Sequence, residues 1–447
     1  MASSAEIVEK INLDIVKHKG EKKMASRAEI VEKFNLDPRK NVVVLVNPSE
    51  NEAGEDTKIW PQLHPPVSAM TVASHLIARG YQSVIFDMRV KKYQELELFI
   101  ENNSSDIAFI GTTVFVGAFI SEARKITSLA RKFGLQSVFG GPFVDVFPEL
   151  AINECDSISG PMPFEEGLDW SMIPMSKYQK PYLAVIFTSV GCPYRCTFCY
   201  LQSYNKKIQA RTTESVLQEM DQLNSDYGIT EFQIGDDNFF TFKKRSIEIL
   251  NSMKDRGYTV IKCIGAQQDF NESVIEAIDG VVKTVNFSLE AADEAIIKKI
   301  RKPVKLGKAM ELNKRFAQMD ISITNNIILG WPFESPDHKD KIYELFDSMK
   351  KENPRFRGLI YAYTSLPGTP LTEEVENKFG VFPNTWDFWI DCNFQISEQT
   401  VKYRPWLTHE EQFELAKVLD DMNRIYDNNY VSRDQTKEFL KENLYLT

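Results

Sequence analysis

The chain has no apolar run long enough to cross a bilayer, which argues against a membrane-spanning protein. It has no basic start followed by an apolar segment, so no secretory signal is expected and the expected location is the cytoplasm. Basic charge is not in excess: 53 Lys and Arg stand against 63 Asp and Glu, a net charge of −10. That balance argues against a nucleic-acid backbone as main partner, because phosphate binding needs clustered cations. Cysteine is sparse, six in 447 residues, and none precedes Cys155. Cys155, Cys263 and Cys392 are scattered and are expected to be buried small hydrophobes. The rest is ordinary for a soluble globular protein, 43% hydrophobic and 26% charged, with length for two or three domains.

The other three cysteines fall within eight residues, as Cys192-x3-Cys196-x2-Cys199. An apolar, strand-like run, Tyr182–Val190, leads into them. Thr212–Tyr227 after them reads as a helix, with Val216, Leu217, Met220 and Leu223 on its apolar side. Clustered thiolates bind soft metal. Four cysteines close an iron–sulfur cluster, so three leave one iron open to a small molecule. Zinc and a disulfide are the other readings. Zinc wants a fourth Cys or His nearby, and none lies close in sequence. A disulfide is disfavoured in a chain that reads as cytosolic.

Cys192-x3-Cys196-x2-Cys199 followed by Tyr200 resembles the signature of the radical S-adenosylmethionine (SAM) superfamily. The resemblance implies a [4Fe-4S] cluster on the three cysteines, with SAM chelating the open iron and Tyr200 beside it. It also implies reductive cleavage of SAM to a 5′-deoxyadenosyl radical. The electron would come from a reductant such as flavodoxin or ferredoxin.

Residues 1–40 form a leader that is partly duplicated: Met1–Asp14 recurs as Met24–Asp37. From 41 to 160, Val42–Val46, Ser83–Asp87, Asp106–Gly111 and Gln136–Gly141 read as strands. They alternate with helices over Pro65–Gly80, Tyr93–Asn102 and Val116–Phe133. Continuous apolar strands alternating with helices indicate an α/β, Rossmann-like, doubly wound parallel sheet. Ligands of such sheets sit at the carboxyl ends of strands. Leu63-His-Pro-Pro66, Phe109-Ile-Gly-Thr112 and Gly140-Gly-Pro-Phe143, in that order, resemble the cobalamin-binding domain fused to many radical SAM enzymes. The resemblance implies cobalamin contacts at Thr112, Thr113, Gly140, Gly141 and Pro142. The Asp-x-His-x2-Gly string that supplies a cobalt-binding His in many such domains does not occur. His64 and His75, this domain's histidines, read as surface or cap residues, so cobalt would have no His ligand. The alternatives are a domain that has lost the cofactor or one that recognises substrate.

Residues 161–181, rich in Pro and Met, read as a linker. From 182 to 376 strand–helix units recur, with six strands counting the one before the cysteines. Six suit a (β/α)6 partial TIM barrel rather than a closed one of eight, and barrel chemistry gathers at the carboxyl ends of strands. Those ends carry Gly235-Asp236-Asp237-Asn238, Ser288-Leu289-Glu290, Asn326-Ile327-Ile328-Leu329-Gly330-Trp331-Pro332-Phe333-Glu334 and Leu366-Pro367-Gly368-Thr369-Pro370-Leu371. By the same resemblance, Gly235, Asp236 and Glu290 contact SAM, while Ile328 and Leu366 lie near its adenine. Read alone, the first of these is a polar turn or a site for a cation. After the third strand, Gln267-Gln268-Asp269 departs from the family's Arg-x-Asp. Residues 377–447 read as a small helical cap, opening with Phe379, Phe382, Trp386, Phe388 and Trp389. These aromatics are expected to pack the barrel's open side, or with Tyr403 or Trp406 to line a substrate pocket. Thr408-x2-Glu411 reads as a capping box before a long amphipathic helix.

The leading expectation is a cobalamin-dependent radical SAM methyltransferase acting at an unactivated carbon. A cobalamin-independent radical SAM enzyme doing C–C bond formation, cyclisation or rearrangement is the alternative. A cofactor carrier with a structural cluster is the reading from outside enzymes. The substrate is expected to be a small molecule, peptide or lipid.

Overall fold

A computed structural model describes residues 16–18, 21–23, 27–49, 64–160, 167–178, 184–204, 207–394 and 396–427. The first copy of the repeat, Leu63, residues 161–166 and 179–181 of the linker, and 428–447 of the tail lie outside them. The chain divides into two compact units, Met1–Leu183 with Pro383–Asp391, and Ala184–Phe382 with Cys392–Thr447.

The first unit is a parallel five-stranded sheet: β1 (Val42–Asn47), β2 (Gln82–Asp87), β3 (Ile107–Thr113), β4 (Gln136–Gly140) and β5 (Ser157–Ile158), in the order β2-β1-β3-β4-β5. β-Branched residues dominate β1, and its four central residues, Val43–Val46, are buried, as a strand covered on both faces requires. Helices Val67–Ile77, Tyr93–Asn103 and Phe119–Lys132 connect the strands. Leu96 and Ile100 from one, and Ile126, Leu129 and Ala130 from another, share a core with Val44, Val46, Ile107 and Ile110. The order reverses between β1 and β3, and such sheets bind ligands at that switch point.

The second unit has six parallel strands in sequence order: β6 (Ala184–Ile186), β7 (Glu231–Ile234), β8 (Thr259–Ile264), β9 (Thr284–Asn286), β10 (Ser322–Leu329) and β11 (Arg357–Ala362). They run edge to edge from β6 to β11 as an open barrel. The edge strand β11 is covered by the tail helix His409–Tyr426. Asn423 accepts from the Ile360 N–H (2.9 Å) and donates to its carbonyl (2.8 Å). Such cover matters, because a bare edge invites another strand. Gly358 lets the layers approach: a Cβ there would stand 2.2 Å from Phe346 Cε2. The capping box forms as expected, Glu411 N–H to Thr408 Oγ1 at 3.2 Å and Thr408 N–H to Glu411 at 2.7 Å.

Three features depart from the sequence reading. Helices Leu306–Gln318 and Pro370–Phe379 were not anticipated, and the second runs through position 376. Its signal is Thr369 as N-cap with Pro370 at the first helical position. The tail aromatics do not pack together on the barrel. Trp386 sits in the first unit, its indole N–H donating to the Leu150 carbonyl (2.7 Å) and its ring 5.0 Å from that of Phe143. A buried indole needs an acceptor for its N–H, and Leu150 provides one. Trp406 stays with the second unit, donating to the Gly330 carbonyl at 3.1 Å, while Tyr403 is fully buried. No helix among the described residues is long and apolar enough to cross a membrane.

Candidate active site

The cysteine loop follows β6 and a short antiparallel ribbon, Ser189–Val190 with Gln209–Ala210. Gly191 turns the chain with φ +88°, where a Cβ would fall 2.1 Å from the Lys207 carbonyl oxygen, so only glycine fits. Hydrogen bonds from its backbone fasten the loop to three other segments. The Gly191 N–H donates to Asp237 Oδ2 after β7 (2.8 Å). The Thr197 N–H donates to the Ile300 carbonyl (3.0 Å), and the Leu371 N–H, beyond β11, to the Thr197 carbonyl (3.0 Å). Phe198 packs edge-on against Trp331, after β10, with ring centres 5.4 Å apart.

Cys192 and Cys199 are half-buried, Cys196 is buried, and none forms a disulfide. Burial pushes all three thiols up, Cys196 to about 11, and the nearby Lys302 ammonium acts against this at each. Among the described residues no three His, Cys, Asp or Glu side chains converge on one ion position.

The sequence-derived residues lie at or just beyond the carboxyl ends of the barrel strands. Gly235 ends β7, where a Cβ would meet Phe187 Cζ and Val185 Cγ1 at 2.8 Å. The Asp236 carboxylate is turned away, fully buried, and accepts from the Thr188 N–H (2.6 Å), Thr188 Oγ1 (2.5 Å) and Ser189 Oγ (2.6 Å). The neighbouring Asp237 reaches the loop instead; desolvation raises its pKa and the bond from Gly191 opposes that. Glu290 is joined to Ile328 by main chain: Glu290 N–H to the Asn326 carbonyl (2.9 Å), Ile328 N–H to the Glu290 carbonyl (3.0 Å). It does so with φ +66°, unusual for a residue with a Cβ. Leu366 is buried and its carbonyl accepts from Thr369 Oγ1 (3.1 Å). The Tyr200 ring packs edge-on to Tyr204 at 5.4 Å.

Lys302 was missed. Its Nζ donates to Glu290 Oε1 (2.9 Å), and both side chains are largely buried, 19% and 10% exposed. Desolvation acts to lower its pKa, but the charges of Glu290 and Cys196 outweigh it and the net shift is upward. The only sequence signal was its place in the basic run Lys298–Lys305. Also missed was His338, fully buried: Nε2 accepts from the Ala292 N–H (3.1 Å) and Nδ1 pairs with Glu334. Glu334 in turn accepts from the Gly330 N–H (2.5 Å). Asp269 accepts from Asn238 Nδ2 (2.9 Å) and lies 3.4 Å from the Tyr194 hydroxyl inside the cysteine loop.

The profile of the radical SAM superfamily matches residues 186–346, which span β6 to the helix after β10. Residues 186–346 carry a radical SAM domain. This radical SAM enzyme is 25% identical over 367 residues to an uncharacterized methyltransferase of Pyrococcus horikoshii, covering 69% of this chain and 78% of that one. It is 27% identical over 164 residues to the cytidylyl-2-hydroxyethylphosphonate methyltransferase of Streptomyces wedmorensis, 35% of this chain and 31% of that one. In fold it is similar to the radical SAM methyltransferase TsrM of Kitasatospora setae, solved with cobalamin and a [4Fe-4S] cluster, with TM-score 0.63 and 16% identity. That similarity covers 82% of this chain and 85% of TsrM. It is also similar to the cobalamin-dependent radical enzyme OxsB, with TM-score 0.65 and 14% identity over 96% of this chain and 74% of OxsB. The folds agree on an α/β chain with a Rossmann-like sheet and an open barrel.

In the first unit of this radical SAM enzyme, Thr112, Thr113, Gly140, Gly141 and Pro142 come together where β3 and β4 end. Thr112 pairs in register with Phe139, and Thr113 with Gly140. Gly141 has φ +100°, and a Cβ there would stand 3.0 Å from the Val114 carbonyl oxygen. Thr112 Oγ1 is buried with no hydrogen-bond partner, an orphan at the ligand end of the sheet. Asp145, four residues past Gly141, is pushed up to about 7 by desolvation alone. A carboxyl raised in the folded state binds more protons there than in the unfolded chain, so stability falls as pH rises from 3.8 to about 7. Asp145→Asn is therefore expected to raise the melting temperature at pH 8 and to leave it nearly unchanged below pH 4. Thermal melts across that range check this, and equal gains at both ends would count against it.

Proposed function

We propose that this radical SAM enzyme is a cobalamin-dependent methyltransferase acting at an unactivated carbon. The observation that carries the reading is one chain holding both a cysteine loop at barrel strand ends and a β2-β1-β3-β4-β5 sheet with an orphaned polar atom at its ligand end. The methyltransferase relatives and the fold of TsrM and OxsB support it.

In this reading Cys192, Cys196 and Cys199 hold a [4Fe-4S] cluster, which when reduced cleaves SAM to give a hydrogen-abstracting radical. Lys302 balances thiolate charge, and Glu290 fixes Lys302. The Ile328 and Leu366 backbone edges and side chains accommodate the adenine, and Gly235 contacts SAM through its main chain. The Asp236 carboxylate is committed to Thr188 and Ser189, so in our reading Asp237 is the carboxylate that faces the SAM amino group. Thr112, Thr113, Gly140, Gly141 and Pro142 hold the corrin, Thr112 Oγ1 donating to it. In this reading cobalt has no histidine ligand from the protein. The protein is placed in the cytoplasm, with flavodoxin or ferredoxin as electron source. The domain limits proposed are 41–160 for the corrin and 182–376 for SAM.

The test is anaerobic reconstitution with iron, sulfide and hydroxocobalamin, then dithionite and methyl-labelled SAM. A corrinoid band that co-purifies, with label retained on the corrin, is expected. Cleavage to 5′-deoxyadenosine without any bound corrinoid would favour the cobalamin-independent alternative. Cluster absorbance without 5′-deoxyadenosine would leave only a carrier.

A further inference from the structure

A chain of net charge −10 carries its densest basic run, Lys298-Lys299-Ile300-Arg301-Lys302-Pro303-Val304-Lys305, against the cysteine loop. The segment is fixed at both ends. The Ile300 carbonyl accepts from the Thr197 N–H (3.0 Å), and the Lys305 N–H donates to Gln267 Oε1 (3.1 Å). Between them Lys302 turns inward to Glu290, as described, while Lys298, Arg301 and Lys305 are exposed. These three have no carboxylate partner among the described residues; Lys299 pairs with Glu374 (2.7 Å). Lys298 and Lys299 end the helix Glu294–Lys299, where cations suit the helix dipole. That explanation stops at the helix. Arg301 lies beyond it in the left-handed region, φ +53°, which disfavours any residue with a Cβ, and Lys305 lies four residues further on.

We propose that Lys298, Arg301 and Lys305 form the docking face for an acidic, low-potential one-electron donor protein. The inference rests on the cluster reading above. A cluster held by Cys196 has to be reduced from outside, and the segment that backs the loop presents unpaired cations to solvent. Opposite charge steers such encounters and suits the small, transient contacts of redox partners. One electron leaves the donor, oxidising it by one unit, and enters the cluster, reducing it by one unit; no bond or proton moves.

The probe is a plant-type [2Fe–2S] ferredoxin, a low-potential one-electron donor. Reconstituted full-length wild type and R301E/K305E are mixed with reduced ferredoxin, and its reoxidation is followed by stopped flow. Ionic strength is varied from about 0.01 M to about 0.15 M, over which the Debye length falls from about 30 Å to about 8 Å. Titration calorimetry with oxidised ferredoxin reads association independently of turnover. The wild type is expected to lose rate steeply with salt. The variant is expected to be at least about tenfold slower at low salt, with weaker association and a flattened salt slope. Dithionite, a small reductant, is expected to drive 5′-deoxyadenosine formation equally in both. Wild-type ferredoxin rates and salt slope in the variant overturn the docking face. So does a variant equally impaired with dithionite, since the segment would then only support the cluster. If the wild type forms no 5′-deoxyadenosine with dithionite, the cluster reading itself falls and the docking face falls with it.

Discussion

Cys196→Ala is expected to yield a folded protein without iron–sulfur absorption and without SAM cleavage. Cys196 is the most buried of the three thiols. The loop around it is held by the Gly191–Asp237, Thr197–Ile300 and Leu371–Thr197 bonds and by Phe198 on Trp331, none of which involves a sulfur. Removing one sulfur therefore leaves the loop in place. On the proposed reading it leaves two thiolates for a cluster that already has one iron without a protein ligand, and two do not retain it. The rate of 5′-deoxyadenosine formation is expected to fall by at least about 10⁶-fold, the low end of enzymatic acceleration. Iron content, visible absorption and far-ultraviolet circular dichroism check this together. A variant that keeps its iron and its colour would falsify the assignment of Cys196 as a ligand.

Lys302→Met is the second large effect. The side chain lies among Glu290, Cys196 and Cys199 and is mostly shielded from water. Methionine keeps most of the volume and removes the charge, leaving Glu290 10% exposed with no counter-ion. Breaking a buried pair from one side costs about 3–5 kcal/mol. We expect about 3 kcal/mol of lost stability and at least tenfold weaker SAM binding, since tenfold corresponds to about 1.4 kcal/mol. The pH dependence has a definite sign. The Lys302 pKa is raised above its ordinary 10.5 in the folded state. Its contribution is therefore complete below 10.5 and is lost as pH climbs through the folded value. The gap between wild type and variant should stay constant from pH 7 to 9 and close only at higher pH. Denaturant melts and equilibrium dialysis with SAM are the measurements. In a double-mutant cycle with Glu290→Gln the double variant should recover part of the loss. A coupling energy near zero would mean the pair is not a unit.

Lys302 also shows where sequence reading stops. Strands β1 to β4 and β6 to β11 were legible as apolar-rich stretches alternating with helical segments. β5 and the Ser189–Val190 ribbon are two residues long and leave no periodic pattern. A lysine in a basic run reads as surface, because nothing local reveals that one of five cations folds inward. The adjacent carboxylates Asp236 and Asp237 were equally opaque. Successive residues point to opposite sides of an extended chain, so one is sealed against Thr188 while its neighbour meets Gly191. The cysteine loop was picked out by its spacing, and Glu290, Ile328 and Leu366 were proposed from the resemblance of the motif order to the family's. Trp386 was misplaced because its acceptor, the Leu150 carbonyl, lies 236 residues away in sequence.

The imidazole of His338 carries a mechanical consequence. Through Ala292 on one ring nitrogen and Glu334 on the other, with Gly330 beyond, it rivets the segment after β9 to the segment after β10. Prising them apart would strand a buried N–H and a partly buried carboxylate at once. These two walls are expected to move as a single panel. On the proposed reading, a doorway for SAM would then be hung on the turns that follow β7, β8 or β11.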